Sequence, residues 1–492
     1  MERRLPALSL HGAALDVGRR HCFAGARSVS ARGIACRPAS GVGGFMKVWR
    51  REIPPPSPQR LAALVQAEAP SCWLDSALES HPHSGESWVV LRPWQVRRAQ
   101  RSEQVPELLW ELDQWLEGVR GQIAGEARGS GGAFGFLSYP SLGSNTPAAW
   151  WLLADTGIFI DHRAARAWIY SLGWNAQGQA EADLAERKIA ELAQCLATTP
   201  ELGPRPLRVH SLKVQDSRET YLAKLRDVQE RIRRGDCYQV NLSQRFHLQG
   251  EWEAADLYLR LREHSPAPQM AFLNLGETQI LSASPEILLQ TEGRRARSYP
   301  IKGTRPRGAN PAADRELAAA LLHSPKDAAE LLMILDLVRN DLGSCSETGS
   351  VQVPERRRLD SLPQVHHLYA IVESRLRTGV GPFQALSHLF PGGSITGAPK
   401  LKAMEIIAAL EGRPREIYTG SIGYAGFDGR ACFNIAIRTA CLQGTDLYYS
   451  AGGGIVADSI PEAEYEECLD KTRGFFQALG IQQKLLIFFA AR

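Results

Sequence analysis

Lysine is scarce in this sequence, with ten against 47 arginines in 492 residues. A guanidinium stays charged across the accessible pH range, so few positions offer a basic group that can shed its proton at accessible cost. The nine cysteines are scattered and contain no C-x-x-C pair. Neither a disulfide framework nor a thiolate zinc site is therefore expected, and a reducing, cytoplasmic setting is. Long apolar runs are missing too. Leu485 to Ala491 is among the longest, far short of the roughly 20 residues that cross a bilayer, so no membrane role is expected.

What is present is a globular composition, 44% hydrophobic and 22% charged, long enough for two to four domains or one unusually large one. The net charge of +4 has a local origin. Residues 1–45 hold seven Arg, no Lys and only Glu2 and Asp16, which leaves 50 basic against 51 acidic residues in the other 447. That segment has no apolar core of a secretory signal. Its Arg- and Ser-rich composition allows an organelle transit peptide, but the favoured reading is upstream sequence before a start at Met46. With the rest of the chain balanced, and no basic patch interleaved with aromatics, nucleic-acid binding is not expected.

The sequence divides into the basic extension 1–45, a region 46–205, a region 206–480 and a tail 481–492. The Pro-rich loop 198–206 marks the main boundary. Beyond it, Asp216-Ser217-Arg218-Glu219 has the form of a capping box, followed by Tyr221, Leu225, Val228 and Ile232 at helical spacing. Tyr238, Val240 and Leu242 alternate with polar residues as in a half-buried strand, and 271–275 and 279–282 read as a hairpin. Two long helices are expected, Ser324-Pro325 through Leu342 and Ser459-Ile460-Pro461 through Leu479. Strands and helices without regular alternation imply an α+β fold with antiparallel sheets.

Three constellations could carry chemistry. Asp327 and Glu330, and Glu464 and Glu467, are each three apart on the long helices. If the two faces meet, they make an oxygen-rich site for a hard cation such as Mg²⁺; if not, they are solvated acids. Pro391 through Lys400 is a Gly-rich loop opening a helix, where backbone N–H groups and the Ser394 and Thr396 hydroxyls would suit a carboxylate or phosphate. Ala398-Pro399 replaces the Lys-Ser/Thr of a nucleotide phosphate loop, so nucleotide hydrolysis is not expected. Gly452-Gly453-Gly454 permits close backbone approach to a ligand, or is a structural bulge. Lys302, sixteen residues after Glu286, could be a nucleophile if desolvated; on spacing alone the commoner fate of such a lysine is a snorkelling surface side chain.

These residues also occur in a recognisable order. Gly235 through Asn241, Ser284-Pro285-Glu286, Pro300 through Thr304, Arg339-Asn340-Asp341, Val365 through Leu368, Pro391 through Lys400, Ser421 through Tyr424, Ile437-Arg438-Thr439 and Gly452 through Asp458 closely resemble the chorismate-utilising enzymes, most of all their aminodeoxychorismate-forming branch. The resemblance is dense over 216–475, weaker over 46–205, and does not reach 1–45.

The resemblance implies two large antiparallel sheets packed face to face, with helices outside and the site in a cleft between them. It implies Mg²⁺ held by Glu330 and Glu467 with Asp327 and Glu464 in support. It assigns the enolpyruvyl carboxylate to Arg438 and Tyr424 and the ring carboxylate to Lys471 with the Gly453-Gly454 backbone. His367 and Thr396 match further substrate positions. Anthranilate-forming relatives carry Ala where this chain has Lys302, and isochorismate-forming ones use a Lys as base. In the branch this chain resembles, the amine adds to ring C2 while Glu286 protonates the departing C4 hydroxyl.

Gly235-Asp236-Cys237-Tyr238-Gln239 lacks the final glycine of a G-x-C-x-G glutamine-hydrolysing elbow. Ammonia would therefore come from a separate glutamine amidotransferase subunit. Ser76, His83 and Ser84 resemble part of a pocket that holds L-tryptophan in some relatives.

Overall fold

The computed structural model describes residues 46–481 except 79, 80, 83, 142, 145, 204, 363 and 364. The 1–45 segment, the tail from 482 and His83 lie outside the described residues.

Two antiparallel sheets dominate, one of 12 strands and one of ten. In the first, neighbours run in the order Trp49–Ile53, Arg166–Ser171, Thr156–Asp161, Glu86–Leu91, Ser71–Asp75, Gln269–Asn274, Thr278–Ser284, Thr439–Gln443, Asp446–Ile455, Gln239–Glu251 and Gly397–Ala398. The second runs from Ile301–Pro306 and Val365–Arg375 through Arg295–Ser298, Ile287–Glu292, Arg430–Asn434, Ser421–Gly426 and Gly132–Leu137 to Ala149–Ala154 and Gln95–Ala99. The α+β fold with face-to-face antiparallel sheets is thus the one the sequence implied.

Period-two alternation explains the layers. Cys72, Leu74, Trp88, Val90, Ala271 and Leu273 of the first sheet share one core with Phe134, Phe136, Trp150 and Leu152 of the second. The intervening Trp73, Val89 and Phe272 face the other way, into a core shared with helix residues Leu61, Leu225, Tyr258 and Ile407. Both sheets draw strands from either side of the 198–206 loop, so that loop divides the sequence without dividing the core.

The hairpin Gln269–Asn274/Thr278–Ser284 pairs as expected, turning at Gly276, where φ is +103°. The helix Pro325–Gly343 begins as expected, with Ser324 accepting from the Asp327 N–H. Elsewhere local chemistry differs. Ser217, not Asp216, caps Arg218–Arg233, because the Asp216 carboxylate is taken by Lys224 at 2.8 Å. Gln239–Glu251 is not half-buried over its first half: Gln239 to Gln244 are buried on both faces, one against helices and the other toward the cleft.

The last long helix is broken. Pro461–Asp470 ends and Arg473–Ala478 resumes, with the Thr472 hydroxyl donating to the Leu469 carbonyl at 2.6 Å. Such a back-bond competes with the helical ladder and marks the break. Ser459 does not cap this helix either; its hydroxyl donates to Glu464 Oε1 at 2.7 Å.

Candidate active site

Lys302 belongs to the second sheet and Gly454 to the first, yet they nearly touch: a Cβ on Gly454 would lie 3.0 Å from Lys302 Nζ and 3.1 Å from Gln239 Nε2. A side chain there would press on the ends of Lys302 and Gln239, so the glycine leaves both of them room in the cleft. The strand Ile301–Pro306 slips register between Lys302 and Thr304 at Gly303, where φ is +78°. Lys302 stays paired opposite Leu368, and the extra residue at Gly303 changes the side-chain alternation between Lys302 and Thr304.

The Lys302 amine sits among charges. Burial lowers its pKa, with Lys471 adding to the effect, while Glu330, Glu286 and Glu467 oppose it. Among the described residues its side chain donates to the Ser394 carbonyl at 3.5 Å. Glu286 is moved the other way: burial pushes its carboxyl up to about 7, against the Ser394 hydroxyl, Lys302, the Ile301 N–H and Lys471. A buried acid raised to about 7 together with an amine whose hold on its proton is weakened by burial is the pairing that acid-assisted nucleophilic chemistry draws on.

The two carboxylate helices converge on this site. Burial raises the Glu330 pKa, and Glu467 on the other helix adds to it. Glu467 is held low chiefly by Lys471, whose Nζ lies 2.9 Å away. Asp327 is bound to Arg305 at 2.8 Å and Glu464 to Ser459. Among the described residues no group of three His, Cys, Asp or Glu forms a metal cluster. Glu330 and Glu467 nonetheless interact across the two helices, with Asp327 and Glu464 held by Arg305 and Ser459. Two carboxylates with substrate and water to complete the shell are a donor set of the kind Mg²⁺ accepts.

Polar groups without protein partners outline a ligand space. Gln239 is fully buried, and both its carboxamide atoms lack hydrogen bonds. His367 Nδ1 is 2.9 Å from Thr304 Oγ1 while Nε2 is buried and unpaired. Burial, with Arg438 adding to it, drives the His367 pKa down to about 3. Arg438 has φ +50°, a costly conformation of the kind found at functional sites. No side-chain hydrogen bond to its guanidinium occurs among the described residues. Lys471 donates to the Gly452 carbonyl at 2.8 Å, and its pKa is raised because Glu467 outweighs burial. Gly453 leaves room between Lys471 Nζ and Glu464 Oε2.

Three expectations change. Tyr424 does not face this site: its ring packs 5.3 Å from Trp88 and its hydroxyl donates to Glu86 Oε2 at 3.4 Å. The phenol acting electrostatically on Arg438 is Tyr449. Nor are the Ser394 and Thr396 hydroxyls free for an anion. Ser394 donates to Glu286 Oε1 at 2.9 Å and Thr396 to the Gly392 carbonyl at 2.9 Å. Gln239 was missed because, within Gly235–Asn241, it reads as one polar residue of an alternating strand.

Tyr424 instead lines a separate cavity of about 260 Å³ with Ser76, Ser84, Glu86, Trp88 and Arg430. The lining includes none of Lys302, Glu286, Arg438 or Lys471. Glu86 is already paired with Arg128 and Arg430, and the Ser84 hydroxyl is buried without a partner.

A cleft at the junction of two large antiparallel sheets that gathers Arg438, Lys302 and Lys471 with the unpartnered Gln239 carboxamide and His367 Nε2 is built to receive a small anionic ligand. Residues 72–477 match the chorismate binding enzyme family, to which the chain belongs. It is 37% identical over 368 residues to anthranilate synthase component 1 of Methanothermobacter thermautotrophicus, covering 73% of this chain and 76% of that protein. It is 48% identical over 259 residues to aminodeoxychorismate synthase component 1 of Salmonella typhimurium, a match spanning 53% of this chain and 57% of that one. Among solved structures, anthranilate synthase component I from Streptococcus pneumoniae superposes with a TM-score of 0.70 at 28% identity, over 81% of this chain and 93% of that chain. MenF, the menaquinone-specific isochorismate synthase of Escherichia coli, shares the fold at TM-score 0.70 and 19% identity, over 90% and 96% of the two chains.

Proposed function

We propose that this chain aminates chorismate at C4, yielding 4-amino-4-deoxychorismate, with ammonia supplied by a separate glutamine-hydrolysing subunit. The observation that carries the reading is the placement of Lys302, its amine between Gly454 and the buried acid Glu286.

The neutral Lys302 amine forms a C–N bond at ring C2 as the C4–O bond breaks. The ring double bond shifts, Glu286 gives its proton to the departing hydroxyl, and water leaves. Lys302 then gives the extra proton it carried to the Glu286 carboxylate. Ammonia attacks C4, the double bond returns, and the C2–N bond breaks as the lysine nitrogen takes a proton back from Glu286 and leaves as a neutral amine. The new C4 ammonium loses a proton to solvent, and Glu286 is reprotonated before the next turnover. Arg438 and Lys471 hold the two carboxylates, and the unpaired His367 Nε2 and Gln239 carboxamide bond to substrate oxygens. When bound, Mg²⁺ would supply positive charge against the ring carboxylate, held by Glu330 and Glu467.

Relatives named anthranilate synthase component 1 support a second reading, amination at C2. Lys302 opposes it, because its amine occupies the position from which a C2 nucleophile would come. Incubation with chorismate, Mg²⁺ and an ammonium salt separates the two: 4-amino-4-deoxychorismate supports the proposal, and anthranilate or isochorismate as sole product overturns it. Added glutamine should replace ammonium only when the amidotransferase subunit is present. For the Tyr424 cavity we propose an amino-acid ligand, L-tryptophan being the first to titrate calorimetrically.

A further inference from the structure

The Gly-rich loop was read from sequence as an anion cradle, but its central serine turns inward. Ser394 Oγ donates to Glu286 Oε1 at 2.9 Å, while its own carbonyl faces Lys302 Nζ at 3.5 Å. One residue thus meets both groups assigned to the chemistry, the acid through its side chain and the amine through its backbone.

The loop is fixed on two sides. At its base Lys400 Nζ binds Asp341 at 2.8 Å and the Leu389 carbonyl at 3.3 Å, tying together the segments that enter and leave the loop. From behind, Arg415 donates to the Ile395 carbonyl at 2.8 Å and the Asn241 carbonyl at 2.6 Å. Arg415 is itself held by Glu411, which also accepts from the Ser243 N–H and hydroxyl. Buried networks with their bonds satisfied restrict motion. Ser394 is therefore presented on a braced segment.

We propose that Ser394 is the positioning residue shared by Glu286 and Lys302, and that the Glu411–Arg415 pair holds its loop in register. This rests on the roles given to Glu286 and Lys302 above. The hydroxyl bond stabilises the Glu286 carboxylate, so Ser394 sets where that acid releases its proton; Lys302 and Lys471 are the other charged groups facing it. When Glu286 carries its proton on Oε2, the Oε1 oxygen still accepts from the Ser394 hydroxyl, so the contact persists through proton transfer without moving the loop.

The test follows chorismate consumption, whichever product forms, across pH 5.5–9 for wild type, Ser394→Ala and Ser394→Thr. A hydrogen bond to a charged group shifts a titration by about one pH unit. For Ser394→Ala the expected result is an alkaline limb moved up by about one pH unit, turnover lowered about ten-fold and KM for chorismate within about two-fold. Ser394→Thr, which keeps the hydroxyl, should restore the limb. An unmoved limb in Ser394→Ala, or a fall in turnover that Thr does not rescue, overturns the proposal. Since consumption is followed irrespective of product, a wrong product identity would sink the amination reading and leave the Ser394 result standing.

Discussion

Glu411 and Arg415, four residues apart, form a two-point ion pair in which Nε lies 2.9 Å and Nη2 2.7 Å from the two carboxylate oxygens, and each side chain is only 1% exposed. Burial alone would raise the carboxyl pKa, yet Arg415 holds it below its ordinary value. Breaking such a pair on one side leaves a charge without compensation. Glu411→Gln should destabilise the fold by about 3–5 kcal/mol, read from urea unfolding.

Lys302→Ala should lower aminodeoxychorismate formation at least about 100-fold, since covalent and acid-assisted steps of this kind are worth that much. Circular dichroism and the unfolding midpoint should be little changed, because Lys302 is not part of a hydrophobic core. Undiminished formation in this variant would remove the covalent role.

The pH profile has a stated sign. Glu286 works protonated and Lys302 works neutral, so activity is lost above the acid's titration and below the amine's. With Glu286 raised to about 7, the alkaline limb of kcat should lie near neutrality and vanish in Glu286→Gln. Both limbs belong to a coupled pair of groups.

His367 should make the native state acid-labile. Its folded pKa is about 3 against 6.5 unfolded, so the unfolded chain takes up a proton that the native state refuses. Stability is complete above about 6.5 and falls as pH drops toward 3. His367→Asn should flatten that slope in unfolding measurements between pH 7 and 4, and raise KM for chorismate through loss of the Nε2 donor or acceptor.

Removal of Mg²⁺ with a chelator should abolish turnover reversibly. Glu330→Gln should raise the Mg²⁺ needed for half-maximal turnover by about 100-fold and Asp327→Asn by about ten-fold, because Asp327 is already spent on Arg305.

Much of this was readable from the chain because the signals were local. Ser324-Pro325 announces its helix, and acids three apart must share a face. What failed depended on which partner a polar side chain found after folding. Asp216 was claimed by Lys224, Ser459 by Glu464 and Ser394 by Glu286, and none of these contacts has a sequence spacing that predicts it. Tyr424 was misplaced for a related reason. Its motif fixes a strand, but the pairing of that strand with Gly132–Leu137 carries its ring to Trp88 and away from Arg438. Gln239 acquires meaning only when Lys302 arrives from the other sheet.

The central claim is that the Lys302 amine bonds to the ring. Peptide mass spectrometry after incubation with chorismate and Mg²⁺, with ammonia withheld, reads it directly. The expected result is a peptide containing Lys302 heavier by chorismate less one water, discharged when ammonium is added. An unmodified Lys302 in protein that still converts chorismate to 4-amino-4-deoxychorismate on adding ammonium, with Lys302→Ala equally active, would contradict it.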